Sequence, residues 1–151
     1  MEIYVDADAC PVKESIFKVA QRFQIKVYVV SNHPKLLPES ESIVSITVEK
    51  RFDAVDDWIA SHIKPNDLVI TNDVLLAERC IKQGALALDP RGKILDENNI
   101  GEAVSMRELL SELRQRGDLQ TGPKSMGKKH HSNFLANLDK VLHRLKKQAG
   151  R

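Results

Sequence analysis

Cysteine is scarce: Cys10 and Cys80 are the only two in 151 residues. They make no disulfide framework, so the fold must rest on a hydrophobic core. Two thiols also suit a reducing compartment, and the expected location is the cytoplasm. Aromatic residues make up only 5%, and none falls in the basic-aromatic pattern of an RNA-recognition sheet. Recognition by stacked bases is therefore expected to be weak. No apolar run approaches the ~20 residues that span a bilayer, so no membrane partner is expected. The start, "MEIYVD", is strand-like, with neither a basic leader nor a small-residue cleavage site. Zinc spacing is absent as well, since His130 and His131 are adjacent in a Lys-rich stretch. There is no internal repeat.

What is present is a globular composition, 42% hydrophobic and 29% charged, with a net charge of +2 that hides an asymmetry. Residues 1–122 carry −5, and residues 123–151 carry +7. An acidic body with a basic tail suits acids around a cation and bases against a polyanion; the plainer alternative is a solvated basic tail.

Strand and helix signals alternate along the chain. Ile3–Val5 is an apolar strand, and Asp6 to Pro11 is the turn after it. Pro11 fits the first turn of a helix, where its missing N–H costs nothing. Val12, Ile16, Val19, Ala20 and Phe23 recur at helical spacing. "KVYVVS" reads as a strand buried on both faces, "NHPKLLPESE" as a two-proline loop and "IVSITV" as a third strand. "FDAVDDWIASHI" is amphipathic, with Phe52, Val55, Ile59 and Ile63 facing inward. "PNDLVIT" is a turn and a fourth strand, and "NDVLLAERCIKQG" a helix ending at Gly84. "ALALD" is a fifth strand, "PRGKILDENN" a turn with a short extended piece, and "IGEAVSMRELLSELRQRG" a long helix closed by Gly117. In "NFLANLDKVLHRLKKQ", Phe134, Leu135, Leu138, Val141, Leu142 and Leu145 share one stripe. The predicted architecture is α/β: a three-layer αβα sandwich around a mostly parallel sheet of about five strands. The α/β domain covers residues 1–117, a flexible basic loop 118–132, and a basic amphipathic helix 133–151, packed on or extending the same domain.

Ligands of such sheets sit beyond the strand carboxyl ends, at the switch point of strand order. Asp6, Asp8, Asn72 and Asp73 all fall at strand carboxyl ends. If strands one and four are neighbours, ~4.8 Å apart, Asp6 and Asp73 leave the sheet side by side. Clustered carboxylates repel and are costly to hold together without a cation. All-oxygen donors suit Mg²⁺ or Mn²⁺, which polarise phosphoryl oxygens and acidify bound water. Asp8 serves equally as the N-cap of the first helix or as a further ligand, and Asp73 also fits an N-cap. Asp6 has no cap to make, because it ends a buried strand, and a buried charge needs a partner.

Asp53, Asp56 and Asp57 open the next helix. Capping and the helix dipole account for most of this group, leaving one member to reach the cation. In "DPRG", residues 89–92, Pro90 and Gly92 make a turn; Arg91 projects from it and suits a bidentate hold on phosphate. Cys10 stands near a helix N-terminus, which lowers a thiol pKa. No histidine base and orienting acid can be placed beside it, so it is read as packing. Trp58 and His62, four apart, read as a surface or core pair of one helix.

The blocks "VDADACPVK", "RFDAVDDWI", "DLVITNDVLLA", "ALDPRG" and the late "GPK" together resemble the YaiI/YqxD family of small bacterial proteins, over essentially the whole chain. That family is grouped with PIN-like domains. The resemblance implies a compact α/β fold whose strand-end acids bind Mg²⁺ or Mn²⁺ to cleave RNA. It matches the first-strand acid to Asp6, with Asp8 as its neighbour, the central-helix acid to one of Asp53, Asp56 and Asp57, and the acid after the fourth strand to Asp73. The usual fourth acid has no clear match, Asp89 being the candidate.

The expected function is therefore a metal-dependent endoribonuclease. Asp6 and Asp73 would be direct ligands, with Asp8 and Asp57 direct or outer ones. Arg91 or Lys13 would hold the phosphate. The tail from Lys124 to Lys147, including Lys128 and Lys129, would follow the RNA backbone. One alternative is a non-catalytic RNA-binding adaptor, its tail supplying salt-dependent affinity. Another is a haloacid-dehalogenase-like phosphatase, whose paired aspartates "DAD" resembles. Against it, Cys10 stands where that family has threonine or valine, and its later lysine and paired-acid motifs have no ordered match.

Overall fold

In the central strand of the sheet, Ile3 and Val5 point to one face and Tyr4 to the other, and all three are buried. A strand apolar on both faces needs helices on both, and the computed structural model has them. It describes residues 1–8, 13–38, 40–117 and 128–149, with Lys13 and Lys128 described by their backbone alone. Cys10, Pro11, Val12, Lys124 and most of the loop expected at 118–132 lie outside those residues.

The elements run β1 (Ile3–Asp6), α1 (Lys13–Phe23), β2 (Val27–Ser31), β3 (Ile43–Thr47), α2 (Ala54–His62), β4 (Leu68–Ile70), α3 (Val74–Lys82), β5 (Leu86–Leu88), β6 (Ile94–Leu95), α4 (Ile100–Gln115) and α5 (Lys128–Ala149). The sheet order is β3-β2-β1-β4-β5-β6. β1 to β5 are parallel, with Ile3 opposite Val27 on one side and Leu68 on the other. β6, the extended piece after "DPRG", pairs antiparallel with β5 and makes a sixth strand.

α1 and α5 cover one face through Ile16, Val19, Phe134, Leu138 and Leu142. α2, α3 and α4 cover the other through Val55, Ile59, Leu76, Cys80 and Ile100. α5 takes in residues 128–132, expected as loop, as well as 133–149 of the expected segment. The five side chains Phe134, Leu138, Val141, Leu142 and Leu145 are at most 1% exposed. Each is worth about 2 kcal/mol of burial, so this helix is core rather than appendage. At the far end of the sheet Asp67 is buried. Its two oxygens accept from the Glu2 and Lys64 backbone N–H groups at 2.9 Å, which ties the start of β1 to the α2–β4 turn.

One inward assignment fails. Helical spacing puts Phe52 on the buried stripe with Val55 and Ile59, but α2 begins only at Ala54, and Asp53 is left-handed with φ 69°. That residue reverses the chain and leaves Phe52 91% exposed.

The β5–β6 turn is where α5 is held. Asn137 Nδ2–H donates to the Gly92 carbonyl. A Cβ on Gly92, at φ 101°, would stand 2.8–2.9 Å from the Asn133 and Phe134 backbone. Gly92→Ala therefore combines a left-handed penalty with a clash and is expected to cost about 3 kcal/mol. Gly117→Ala, at φ 76° in open space, is expected to cost only about 1 kcal/mol. Urea unfolding of both variants checks this; equal losses would mean that α5 does not depend on the turn.

Candidate functional site

Strand order turns at β1, with β2 and β3 to one side and β4 to β6 to the other. The crevice beyond the carboxyl ends of β1 and β4 is where a sheet of this kind binds ligands. A cleft of about 660 Å³ opens there, lined by Asp6, Asp8, Asp53, Asp56 and Asp73.

Asp6 ends β1 and is 6% exposed. Its partner is the Thr71 hydroxyl, which donates to Oδ2 at 2.9 Å. Thr71 follows β4, and its Oγ1 also accepts from the Asp73 N–H at 3.0 Å. One buried hydroxyl thus joins the acid of β1 to the loop bearing the acid of β4. Burial raises the Asp6 pKa; the Thr71 hydrogen bond offsets part of that, and the charges of Asp73 and Asp8 add to it.

Asp73 has two functions at once. Its Oδ1 accepts from the Leu75 N–H at 2.9 Å and caps α3, while its charge bears on Asp6 and Asp56. Asp8 is taken up by the end of β2. It accepts from Ser31 Oγ–H at 2.9 Å and the Asn32 N–H at 3.2 Å, with Lys35 Nζ at 3.8 Å. Burial works to raise its pKa, but the Ser31 and Asn32 hydrogen bonds and the Lys35 charge outweigh it, and the pKa is lowered.

Of the three acids opening α2, Asp53 and Asp56 line the cleft and Asp57 does not. Successive helical residues point ~100° apart, so Asp56 and Asp57 cannot both turn toward β1. Asp57 lies between Arg79 Nη1 at 3.0 Å and Arg51 Nη1 at 3.2 Å, which lower its pKa. The Asp56 carboxyl is pushed up to about 6, first by burial and then by Asp73, Asp6 and Asp53, against a smaller opposing effect of Arg79.

The cations of the cleft are Arg51, Arg79 and Arg107. Arg91 is not among its lining residues, and neither is Asp89. Asp89 Oδ1 accepts from the Arg91 N–H at 2.6 Å within the β5–β6 turn. Lys129 is exposed on the first turn of α5. That turn approaches the start of α1, with His131 Nε2 3.5 Å from Ser15 Oγ. The side chains of Lys13, Lys124 and Lys128 lie outside the described set. Trp58 and His62 stack at 3.9 Å beside Tyr4 and Tyr28. Cys80 is a buried packing thiol, its pKa pushed up to about 12 by burial.

Thr71, Ser31, Asn32, Arg79 and Arg107 carry no weight in the motif reading. Two of them leave a local signal. Thr71 stands two residues before Asp73, the spacing at which a hydroxyl accepts from a backbone N–H. Ser31 ends β2 beside the end of β1, where Asp6 pairs with Val30. Among the described residues, no three His, Cys, Asp or Glu side chains form a group that could hold a metal ion.

A family model described as "Uncharacterized BCR, YaiI/YqxD family" matches residues 4–144. A UPF0178 protein of Rhodospirillum rubrum is 44% identical over 148 residues, covering 97% of this chain and 99% of that one. One from Gluconacetobacter diazotrophicus is 43% identical over 149 residues, covering 99% and 97%. One from Geobacter metallireducens is 44% identical over 147 residues, covering 96% and 95%. No solved structure matches the chain.

The acid cluster predicts an inverted pH dependence. With its pKa raised to about 6, Asp56 in the folded chain still holds a proton that the unfolded chain has released, between about pH 4 and 6. Stability therefore rises as pH falls through that window, and the penalty is full above it. Asp73→Asn keeps a capping side chain but removes a repelling charge. It is expected to stabilise the metal-free protein at pH 7.5 by roughly 1 kcal/mol after solvent screening, and the gain should vanish below about pH 4. Thermal melts in EDTA across pH 3.5–8 measure this; a loss of stability at pH 7.5 would show that the cluster is not under electrostatic strain.

Proposed function

The chain belongs to the YaiI/YqxD family, and we propose that it is a metal-dependent phosphodiesterase that cuts RNA at the acid cleft. The observation that carries this reading is Asp6: a charge ending the central buried strand, raised in pKa and sharing its crevice with Asp56 and Asp73. A chain gains no stability from such a cluster alone, so a cation is its natural counterpart.

The donor set fits Mg²⁺ or Mn²⁺ in kind, since every candidate ligand is a carboxylate oxygen. Mg²⁺ keeps several waters and binds through one or two carboxylates, so it does not require three converging side chains. Asp6 and Asp73 would hold the ion directly, and Asp8 and Asp56 through water. When bound, such an ion would polarise a phosphoryl oxygen and make water acidic enough to attack.

The remaining work falls to the arginines. Arg107 lines the cleft and makes no ion pair among the described residues. It is better placed than Arg91 to take a phosphate bidentately. Asp57 then acts as a positioning residue, holding Arg51 and Arg79 at the rim. The bonding of Asp8 speaks against the phosphatase reading. Hydrogen bonds and a lowered pKa keep it ionised, the opposite of what a proton-carrying acid/base needs.

Mn²⁺ is expected to support cleavage of an RNA oligonucleotide, and Asp6→Asn, which can still accept from Thr71, should abolish it. Arg107→Ala should raise KM about tenfold, with a smaller change in kcat. Undiminished cleavage by Asp6→Asn in a gel assay would end this reading; RNA binding without cleavage in any divalent ion would make the protein an adaptor.

A further inference from the structure

We propose that Phe52 is a stacking face for one unpaired base, making single-stranded nucleic acid the substrate class of the acid cleft. The inference rests on the phosphodiesterase reading above and narrows it.

The chain has seven aromatic residues. Tyr4, Tyr28 and Trp58 are in ring contact with one another, Phe23 meets His143 edge-on, and Phe17 and Phe134 are buried. Among the described residues Phe52 is the one aromatic that is both outside these ring contacts and exposed, at 91%. A single exposed apolar side chain is ordinary in itself; Leu36 is another, away from this cleft. The position of Phe52 is what differs. It lines the cleft that holds the acids and Arg107, alongside the partly exposed Leu75. It is turned out there by the left-handed Asp53, a conformation that costs an L-residue about 1 kcal/mol.

The cleft thus offers three kinds of surface: carboxylates suited to a cation, arginines suited to a phosphate, and one neutral aromatic face. A nucleotide unit presents the complement, a charged phosphate next to a flat uncharged base. In a duplex the base faces are covered by their neighbours, so only an unpaired base can stack on a side chain. One ring accommodates any base, because every base has a π-face, and the contact is sequence-tolerant. It is a single contact, in keeping with the weak base stacking expected from the low aromatic content. A second copy of this chain is a poorer occupant, since a two-fold contact through the cleft would set the five carboxylates against their own copies.

The test is binding in EDTA, where cleavage plays no part, using a fluorescein-labelled 12-nucleotide single strand and the duplex of the same sequence. Phe52→Ala is expected to weaken single-strand binding about tenfold and to leave duplex binding unchanged. Phe52→Trp should keep the affinity, and its added emission should be quenched as the strand binds. Equal single-strand affinities for wild type and Phe52→Ala would overturn the proposal. So would the absence of any single-strand binding by the wild type, or a change in oligomeric state on Phe52→Ala in light scattering, which would mark Phe52 as a protein contact. Stacking with no cleavage in Mn²⁺ would leave Phe52 as proposed and remove the phosphodiesterase reading, so the two fail separately.

Discussion

A carboxylate at the end of a buried central strand is the constraint around which this site is arranged. Asp6 cannot face solvent freely, because it lies between β2 and β4 with helices on both faces. It therefore needs a donor, and the Thr71 hydroxyl supplies one. The same hydroxyl accepts from Asp73, so satisfying the first acid brings the second close to it. Burial raises the Asp6 pKa first; the Thr71 hydrogen bond offsets part of that rise, and the Asp73 charge it brings near adds to it. A purely structural solution would have placed an apolar residue or a neutral amide at this point.

The two faces of the sheet divide the remaining demands. α1 and α5 enclose a dry aliphatic layer, in which α5 inserts a full stripe and is held at its start by the Gly92 turn. The other face borders the acid cleft: α2 lines it with Asp56 and pairs Asp57 with Arg51 and Arg79, and α3 is capped by an acid of the cluster. The electrostatic strain near α2 and α3 is tolerable because the core on the opposite face does not depend on it. "DPRG" belongs to the stabilising half. Its glycine permits close approach of α5, and its arginine is not among the residues lining the acid cleft.

Particular residues show where local pattern stops being informative. The stripe of α5 is set by period alone and is seen in the fold. Phe52 obeyed the helical period but lay two residues before the helix, and a single positive φ at Asp53 turned it out. Asp56 and Asp57 are equivalent in any propensity argument. Their separation of about 100° matters only once β1 lies on one side and Arg79 on the other. Asp73 caps α3 as one of its two readings expected; only one carboxylate oxygen is used in that bond, and its charge bears on Asp56.

The sequence by itself determined the layer architecture, the parallel sheet and the placing of acids at strand ends. These follow from hydrophobic period and from where polar residues interrupt it, both local properties of the chain. Only the tertiary structure decided which acids meet, which arginines face them, and that one hydroxyl links β1 to β4. Thr71 and Asp6 are 65 positions apart, and Arg79 and Asp57 are 22 apart. Contacts of that reach are set by strand order and helix rotation, which no window of the sequence contains.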